Sequence, residues 1–362
     1  MANELARGIE EKLEWNMRVF ITGGTGFIGQ CLVRSMVRNG HEVIVLVRTP
    51  DSAAARLVAG MGARLARGDV TDRESMRDAV TGVDAVVHNA GHYEFGLDAA
   101  ARRRMVGTNI VGTENVLGLA LELRVPRSVH VSSVVALGET GPEPCDESFT
   151  RRAPVRTWYE QTKTEAHALA ARYGDRGLPV AIVCPNAVIG PNDHSVWGYF
   201  LRMYLNRVMP PVCWSPDRVM SLVPVEDLAD GMTLVTEKGR MGETYLLTGE
   251  PRTVRETVET WKQRPGAHHV RFWLPAGLMA AACWPLEPLL RLAGMPAFLS
   301  RETVRAVMHL NYSSRKAQQE LGWAHRSAEA MWLGTIDAEM ALLAARGRAG
   351  LASRLNPLPP GG

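Results

Sequence analysis

A glycine-rich segment at positions 23–29 limits the possible folds of this chain more than any other stretch. It reads Gly-Gly-Thr-Gly-Phe-Ile-Gly, directly follows the apolar run Arg18–Thr22, and opens a helical pattern. Glycines at such a join permit a tight turn, and the N-terminus of the following helix offers free N–H groups to a phosphate. The combination predicts a dinucleotide-binding βαβ unit. The expected contacts are Gly23, Gly26, Phe27, Ile28 and Gly29.

The first half of the chain repeats an apolar run followed by a helical segment, which is the pattern of right-handed βαβ units in a parallel sheet. A further strand is expected at Glu243–Thr248, where the chain re-enters the sheet. The predicted fold class is therefore α/β, a doubly wound parallel Rossmann sheet with a smaller, interleaved C-terminal substrate lobe. The other predicted strands are Arg18–Thr22, Glu42–Val47, Ala63–Arg67, Asp84–His88, Ser128–Ser132 and Val180–Cys184.

This pattern also predicts a division into domains. The dinucleotide-binding domain covers residues 17–186 and is rejoined by about 219–248. The substrate lobe covers residues 187–218 and 249–345, with helical runs at Arg301–His309 and Ser327–Leu343. Residues 1–16 are expected to be an N-terminal extension, and the Pro/Gly-rich residues 346–362 a flexible tail.

The composition excludes several classes of partner. The 41 basic and 38 acidic side chains are spread along the whole chain, so no sustained basic face is expected for nucleic acid. The five cysteines form no CxxC pair, which argues against a zinc knuckle or a disulfide framework and favours the cytoplasm. No metal site is expected, and no segment is predicted to be transmembrane.

The longest apolar stretch is Phe272–Leu286, which Pro275 and Pro285 interrupt. It is too short and too broken to span a bilayer. Its apolar side chains are nevertheless expected to be shielded from water by another part of the protein or by a ligand. It is interpreted either as a wall or lid over an apolar substrate, or as lobe core or a homodimer interface, and membrane-surface contact is less favoured because lysines are scarce nearby.

The end of the second predicted strand indicates which dinucleotide binds. An NAD-preferring site usually has an acidic residue there, whereas this chain has Arg48, which suits a 2′-phosphate. NADP is therefore the predicted cofactor and NAD the alternative, since a solvated surface arginine would give the same pattern. Further cofactor contacts are expected after the third and fourth strands, from Asp69, Val70, Asn89, Ala90 and Gly91.

Tyr159 and Lys163 are the predicted reaction centre. Residues four apart share a helix face, so the phenol and the ammonium lie side by side. The ammonium is expected to lower the pKa of the phenol, as an acid–base working near neutral pH requires. Ser132 and Ser133 precede this pair, at the end of the fifth predicted strand.

These motifs together resemble the extended short-chain dehydrogenase/reductase family, which includes nucleotide-sugar epimerases, dihydroflavonol reductases and 3β-hydroxysteroid dehydrogenases. The resemblance covers about residues 17–190 and includes the glycine segment, the run Asn-Ile-Val-Gly-Thr-Glu-Asn-Val at 109–116, the serine pair, and Tyr159 with Lys163. It implies that Tyr159 is the acid–base and that Lys163 binds the nicotinamide ribose. It also implies catalytic roles for Ser133 and Asn109, with Ser132 as the alternative serine, and cofactor contacts from Pro185, Asn186 and Val188.

The resemblance also narrows the function. A sugar-nucleotide dehydratase of the family usually has an acidic pair after the active-site serine, where this chain has Val134 and Val135. The run Cys-Pro-Asn-Ala-Val-Ile at 184–189 is similar to the dihydroflavonol-reductase and steroid-dehydrogenase members. The expected function is NADPH-dependent reduction of a ketone or aldehyde on an apolar small molecule. The alternatives are a nucleotide-sugar epimerase that retains NAD and a non-catalytic NADP-sensing protein.

Overall fold

The computed structural model describes residues 16–93, 99–264, 270–292, 304, 307–345 and 354–355, with only the backbone described at 284 and 286–292. The helices are α1 Phe27–Arg38, α2 Ala53–Gly60, α3 Arg77–Val80, α4 Ala99–Val106, α5 Gly112–Glu122, α6 Val134–Leu137, α7 Trp158–Asp175, α8 Val196–Leu205, α9 Val225–Lys238, α10 Val254–Trp261, α11 Ala276–Leu292, α12 Arg315–Leu321 and α13 Ala328–Ala345. A 3₁₀ turn covers Glu74–Met76, and a π-helical turn, Gly107–Val111, joins α4 to α5.

The strands are β1 Arg18–Thr22, β2 Glu42–Val47, β3 Arg64–Arg67, β4 Ala85–His88, β5 Arg127–Val131, β6 Val180–Pro185, β7 Val188–Ile189, β8 Val212–Trp214, β9 Val219–Met220, β10 Val223–Pro224, β11 Thr244–Leu247, β12 Arg252–Thr253 and β13 Phe272–Leu274. Seven of them form one sheet in the order β11-β6-β5-β4-β1-β2-β3. Every neighbouring pair in this sheet is parallel. The predicted doubly wound parallel fold is therefore confirmed.

The strand order reverses at β1, which lies between β2 and β4. The connections that follow β1 and β4 turn in opposite directions, which leaves a crevice beyond the carboxyl ends of these two strands. The predicted return strand is present one residue shorter at each end, as β11, and pairs with β6. The other predicted strands of the sheet differ from the observed ones by at most one residue at either end.

Apolar side chains cover both faces of the central sheet, because alternate residues of a strand point to opposite faces. Phe20 and Ile44 belong to one buried cluster, and their neighbours Val19 and Val43 belong to the other. The first cluster continues into the C-terminal lobe, whereas the second includes residues of α1, α9 and α12. The sheet is therefore buried on both sides, as parallel sheets are.

Two short two-stranded sheets, β7 with β10 and β9 with β12, pair segments of the predicted Rossmann domain with segments of the predicted lobe, and a third, β8 with β13, lies within the lobe. The buried Arg202 of α8 pairs with the buried Glu339 of α13 at 3.2 Å. Near the Rossmann side, Asn186 Nδ2 donates to the Leu310 carbonyl at 2.7 Å. The sheets and these contacts place parts of the lobe against β6 and β7, although the domain boundaries stay a prediction.

The apolar segment 272–286 forms β13 and the start of α11. Phe272 and Leu278 are about 60% exposed, whereas Trp273 and Met279 pack against the core and Cys283 is buried. β13 pairs with β8, so the start of the segment lies beside that strand. The side chains of Trp284 and Leu286 lie outside the described residues. Across the described ranges, none of the helices combines the length and apolarity needed to cross a bilayer.

Two predicted helical runs have different outcomes. The run predicted at Ser327–Leu343 is α13, which ends two residues later. The run predicted at Arg301–His309 falls partly outside the described residues; of those that are described, Val304 is helical and residues 307–309 are not. There the chain leads into two isolated β-bridges, one between Leu310 and Met220 and one between Tyr312 and Cys145. The helical prediction is therefore wrong at this end, because pairing with a distant segment overrides local periodicity.

The glycine segment is packed so closely that side chains are excluded. A Cβ added to Gly29 would lie 2.0 Å from the Gly23 carbonyl oxygen and 2.6 Å from the Gly24 Cα. Both neighbours are backbone atoms, which cannot rotate away. Gly23 itself has φ of 70° and would place a Cβ 2.8 Å from the Ala90 Cα. The turn from β1 into α1 therefore requires glycine at both positions.

We predict that Gly29→Ala lowers the free energy of unfolding by about 1–3 kcal/mol, because the added methyl group must displace backbone. Gly60→Ala is the matched control, since no atom lies within 4 Å of the added Cβ at that helical position. It should be neutral or stabilising by up to about 1 kcal/mol. Urea unfolding of both variants checks this, and equal effects of the two substitutions would contradict the packing argument.

Candidate active site

A single cavity of about 670 Å³ begins at the N-terminus of α1, follows the carboxyl ends of the central strands and extends into the C-terminal lobe. Every residue that the sequence predicts to contact the cofactor lines it, as do Ser133, Tyr159 and Lys163. The predicted Asn109 lies just behind the cavity wall. The tertiary fold thus brings together residues from six strand ends, those of β1 to β6, and from α7.

The N-terminal end of α1 fits a dinucleotide diphosphate. A Cβ on Gly26 would meet only the Gly23 carbonyl oxygen, at 3.4 Å, so the space beside this residue is otherwise open. The first N–H groups of α1 adjoin that space and are available to an anion. The adjacent wall is fixed by the Thr22 hydroxyl, which accepts a hydrogen bond from the Ala90 N–H at 3.2 Å.

Arg48 and Asp69 line the end of the cavity where the adenosine is predicted to bind. Arg48 is exposed and lines the cavity. Asp69 also lines it, and its Oδ1 accepts hydrogen bonds from the Thr71 N–H and hydroxyl. Arg56, a second candidate for a 2′-phosphate, instead donates to the Asp51 carbonyl and is not part of the cavity wall. Arg48 is thus the better placed of the two arginines.

At the other end of the nucleotide site, Tyr159 and Lys163 share one face of α7. The Lys163 Nζ is buried and donates to the Val131 carbonyl at 2.9 Å, which holds the ammonium against the end of β5. The Tyr159 ring packs edge-on against Tyr93, with the centroids 4.6 Å apart. The two side chains therefore lie at the carboxyl end of the sheet, next to the predicted serine.

The pKa of Tyr159 does not follow the expectation from sequence. Burial raises it from 10.0 to about 12, and hydrogen bonding to Ser133 acts in the opposite direction. The expected lowering of this pKa by Lys163 is therefore wrong for the free protein, because the loss of hydration dominates and only the Ser133 hydrogen bond opposes it. Burial also lowers the pKa of Lys163 from 10.5 to about 8. A charged nicotinamide ring beside the phenol would favour its ionised form.

Asn109 connects two walls of the site. Its Oδ1 accepts from the His92 N–H at 2.7 Å, and its Nδ2 donates to the His92 carbonyl and to the Thr162 hydroxyl, both at 3.0 Å. Asn109 lies in the π-helical turn between α4 and α5. It therefore holds the loop after β4 against α7, next to Lys163.

Two buried imidazoles and one half-buried imidazole lie near Lys163. Burial and the Lys163 charge lower the pKa of His88 to about 3, and His88 bonds the Thr22 and Thr113 hydroxyls. Burial is also the main cause that lowers the pKa of His130 and of His167. These rings are therefore neutral near pH 7. Among the described residues, no group of three potential ligands could hold a metal ion.

The lobe end of the cavity is mostly apolar. A wall or lid here was one interpretation of segment 272–286, but none of its described side chains lines the cavity. The wall instead comes from α8, β8, α10 and residues 307–310. The continuously apolar and aromatic run of α8, Val-Trp-Gly-Tyr-Phe-Leu, was a usable signal. Large lining side chains are Trp197, Phe200, Met209, Trp214, Trp261 and Met308.

Comparison with known proteins identifies the family of this fold and site. The model of the NAD dependent epimerase/dehydratase family matches residues 19–247. The chain belongs to this family. It is accordingly an enzyme of the short-chain dehydrogenase/reductase type, and the resemblance inferred from its motifs is confirmed. The family's cofactor is NAD(P), and its members act on small-molecule substrates.

Individual members of the family are similar along most of their length. Sterol demethylase protein B of Methylococcus capsulatus is 30% identical over 332 residues, which cover 88% of this chain and 97% of that protein. The 4-hydroxy-2-methyl-3-oxo-4-farnesyl-3,4-dihydroquinoline-1-oxide ketoreductase of Stigmatella aurantiaca is 30% identical over 319 residues, covering 86% and 92%. Among solved structures, DesIV, a dTDP-glucose 4,6-dehydratase from Streptomyces venezuelae with NAD and TYD bound, has a TM-score of 0.73 at 24% identity, covering 91% and 98%.

We predict that stability rises with pH where Lys163 titrates. Its pKa is lowered in the folded chain, so between about pH 8 and 10.5 the unfolded chain binds the proton more strongly. The destabilisation is complete below pH 8, amounts to about 3 kcal/mol, and is relieved as the pH rises through this window. Tyr159, whose pKa is raised, acts in the opposite direction and only above its ordinary value of 10.0.

Urea unfolding of the wild type and of Lys163→Met, measured from about pH 7 to about pH 10, checks this. The stability of the wild type should rise relative to that of the variant. Parallel curves would show that Lys163 is not buried as a charge.

Proposed function

We propose that this enzyme catalyses NADPH-dependent reduction of a ketone or aldehyde carried by an apolar small molecule. The observation that supports this most strongly is the continuity of one cavity, from the Tyr159 hydroxyl to a chamber walled by aromatic and aliphatic side chains. A substrate that fills such a chamber gains affinity by losing apolar surface to water. Its reactive carbonyl would lie at the polar end, against Tyr159 and Ser133.

Each residue of the proposed site is assigned one role in the reaction. Bound NADPH would supply the hydride to the carbonyl carbon. Tyr159 donates its proton to the carbonyl oxygen, and the Ser133 hydroxyl hydrogen-bonds the same oxygen as negative charge develops there. A raised pKa keeps Tyr159 protonated before reaction, which suits a general acid. Lys163 holds the nicotinamide ribose. Asn109 holds α7 against the loop after β4.

Two similar proteins support the substrate class. The name of the Stigmatella aurantiaca protein describes reduction of a ketone on a farnesyl-bearing molecule, and that of the Methylococcus capsulatus protein refers to a sterol. Both molecules are large and apolar. The lobe end of this cavity has the same character, so we extend the class, but not the individual compounds, to this enzyme.

A nucleotide-sugar epimerase that retains NAD is the second candidate, because NAD-bound relatives of the same fold act on nucleotide sugars. Such a substrate brings phosphates and several hydroxyl groups into the lobe. The described residues lining the lobe end include no lysine or arginine to pair with phosphates. The chemistry of the wall therefore favours the carbonyl reductase.

We predict that a panel of carbonyl compounds, including a steroid ketone, a long-chain 3-oxoalkanoate and a small polar ketone, will show NADPH oxidation for the larger apolar members. Tyr159→Phe should reduce kcat by a factor of about 100 or more, because the general acid is lost, while the dissociation constant of NADPH changes little. Tyr173→Phe is the matched control, since its hydroxyl lies on the same helix and bonds the Glu114 carbonyl away from the cavity.

The outcome separates the candidate functions. Near-normal turnover of Tyr159→Phe would overturn the acid–base assignment. A tightly retained cofactor with no net NADPH oxidation on any carbonyl would favour the epimerase. A protein that binds NADP but transforms neither class of substrate would instead be the sensor.

We predict further that NADPH binds more tightly than NADH because the exposed Arg48 guanidinium pairs with the 2′-phosphate. Arg48→Ala should weaken the binding of NADPH by about tenfold or more and leave the binding of NADH nearly unchanged. Arg56→Ala, which removes an arginine outside the cavity wall, is the control and should preserve the preference. Calorimetric titration measures all six affinities, for two cofactors and three proteins, and equal binding of both cofactors to the wild type would remove Arg48 from this role.

A further inference from the structure

The loop that follows β7 passes close to the start of α1. A Cβ added to Gly190 would lie 3.3 Å from the Phe27 Cζ, so this turn rests directly on the first residue of the helix. Four residues later, the His194 ring lies 6.5 Å from the Phe27 ring, measured between centroids. His194 therefore approaches the N-terminus of α1 from the lobe side of the cavity, opposite the glycine segment.

Buried polar contacts hold both neighbours of His194 in place. The Asp193 carboxylate accepts from the Ser195 N–H and from its hydroxyl, each at 2.7 Å, and Asp193 is buried. The Arg202 guanidinium donates to the Asp193 carbonyl at 2.8 Å. Residues on both sides of His194 are thus tied to α8, which leaves little freedom for the backbone that carries the imidazole.

The His194 side chain is itself available to a ligand. It is exposed, it lines the cavity, and none of the described residues hydrogen-bonds its imidazole. A ring that is held at a cavity wall by a rigid loop, with its polar atoms unused, is suited to contact a bound molecule. The helix end facing it offers N–H groups of its own.

We infer that the His194 imidazole binds the diphosphate of the dinucleotide from the side opposite α1. This inference rests on the proposed cofactor site and adds a contact from the C-terminal lobe to it. The N-terminus of α1 draws the diphosphate to this part of the cavity, because free N–H groups and the helix dipole favour negative charge there. An imidazole presents at least one N–H in either protonation state, and a charged one is the stronger donor to phosphate.

The surrounding charges are consistent with this contact. In the free protein, burial and then the Arg202 guanidinium lower the pKa of His194. The negative charge of a diphosphate acts in the opposite direction and favours the protonated ring. Binding of the dinucleotide would therefore draw the lobe and the glycine segment onto the same ligand group.

Calorimetric titration with fragments of the cofactor tests this inference without any assay of turnover. The ligands are NADP⁺, 2′-phospho-ADP-ribose, which keeps the diphosphate, and adenosine 2′-phosphate, which lacks it. The variants are His194→Phe, which keeps a ring beside Phe27, and His194→Gln, which keeps a neutral N–H donor. His325→Phe is the matched control, because it makes the same change at a half-buried histidine outside the cavity wall, whose ring packs beside Trp323.

We predict that His194→Phe weakens the binding of NADP⁺ and of 2′-phospho-ADP-ribose by the same factor, about tenfold, and leaves the affinity for adenosine 2′-phosphate unchanged. His194→Gln should recover part of the loss, and His325→Phe should behave like the wild type. If the enzyme prefers NAD, ADP-ribose and adenosine replace the phosphorylated fragments.

The other outcomes overturn the inference in distinguishable ways. Unchanged affinity for 2′-phospho-ADP-ribose in both His194 variants would exclude the diphosphate contact, and a loss confined to NADP⁺ would place the ring at the nicotinamide. A wild-type protein that binds neither NADP⁺ nor NAD⁺ would overturn the proposed function together with this contact.

Discussion

The close crossing of the β1–α1 turn over its own helix is the constraint on which the rest of the site depends. At Gly29 the backbone of the turn approaches so closely that a methyl group would overlap the Gly23 carbonyl oxygen. This crossing brings the first turn of α1 to the crevice between β1 and β4, where the strand order reverses. α1 in turn packs on α9, and the Ser35 hydroxyl of α1 donates to the Asp230 carboxylate at 2.6 Å. Displacement of the turn would therefore move both the anion site and the helix layer behind it.

Burial of Lys163 is the second physical feature that organises the site. Removal of an ammonium from water is unfavourable, and this is why its pKa is lowered. The Val131 carbonyl compensates part of that cost, and the nearby His88, His130 and His167 are kept neutral by their own burial. Lys163 therefore carries a charge among neutral rings, and its hydrogen bond to the Val131 carbonyl orients it toward the end of β5. A polar site of this kind, largely shielded from water, strengthens each electrostatic contact made in it.

The C-terminal lobe contributes to the same cavity because its segments interleave with those of the Rossmann domain. Asn186 at the end of β6 bonds the Leu310 carbonyl, and the Thr248 hydroxyl after β11 donates to the Tyr312 carbonyl at 2.7 Å. The Thr140 N–H donates to the His309 carbonyl at 2.9 Å. Residues 307–312 thus form a strap that passes the carboxyl ends of β6 and β11. The apolar chamber is completed where this strap meets α8 and α10.

Local sequence patterns were sufficient to predict the parallel sheet, the return strand, the glycine turn, and the residues after the first four strands that line the nucleotide part of the cavity, whereas Pro185, Asn186 and Val188 were expected only from the family resemblance. Each of these depends on short-range requirements: alternation of apolar residues, glycine where backbone crosses backbone, and four-residue spacing on one helix face. Their chemical roles stay predictions, as do the domain boundaries.

The substrate end could not be derived in that way. Its wall combines α8, β8, α10 and residues 307–310, which are far apart in sequence, and an apolar run has the same appearance whether it lines a cavity or fills a core. The direction of the Tyr159 pKa shift also escaped prediction. Spacing along α7 places an ammonium near the phenol, but only the surrounding fold determines how much water both groups lose, and that loss decides the shift.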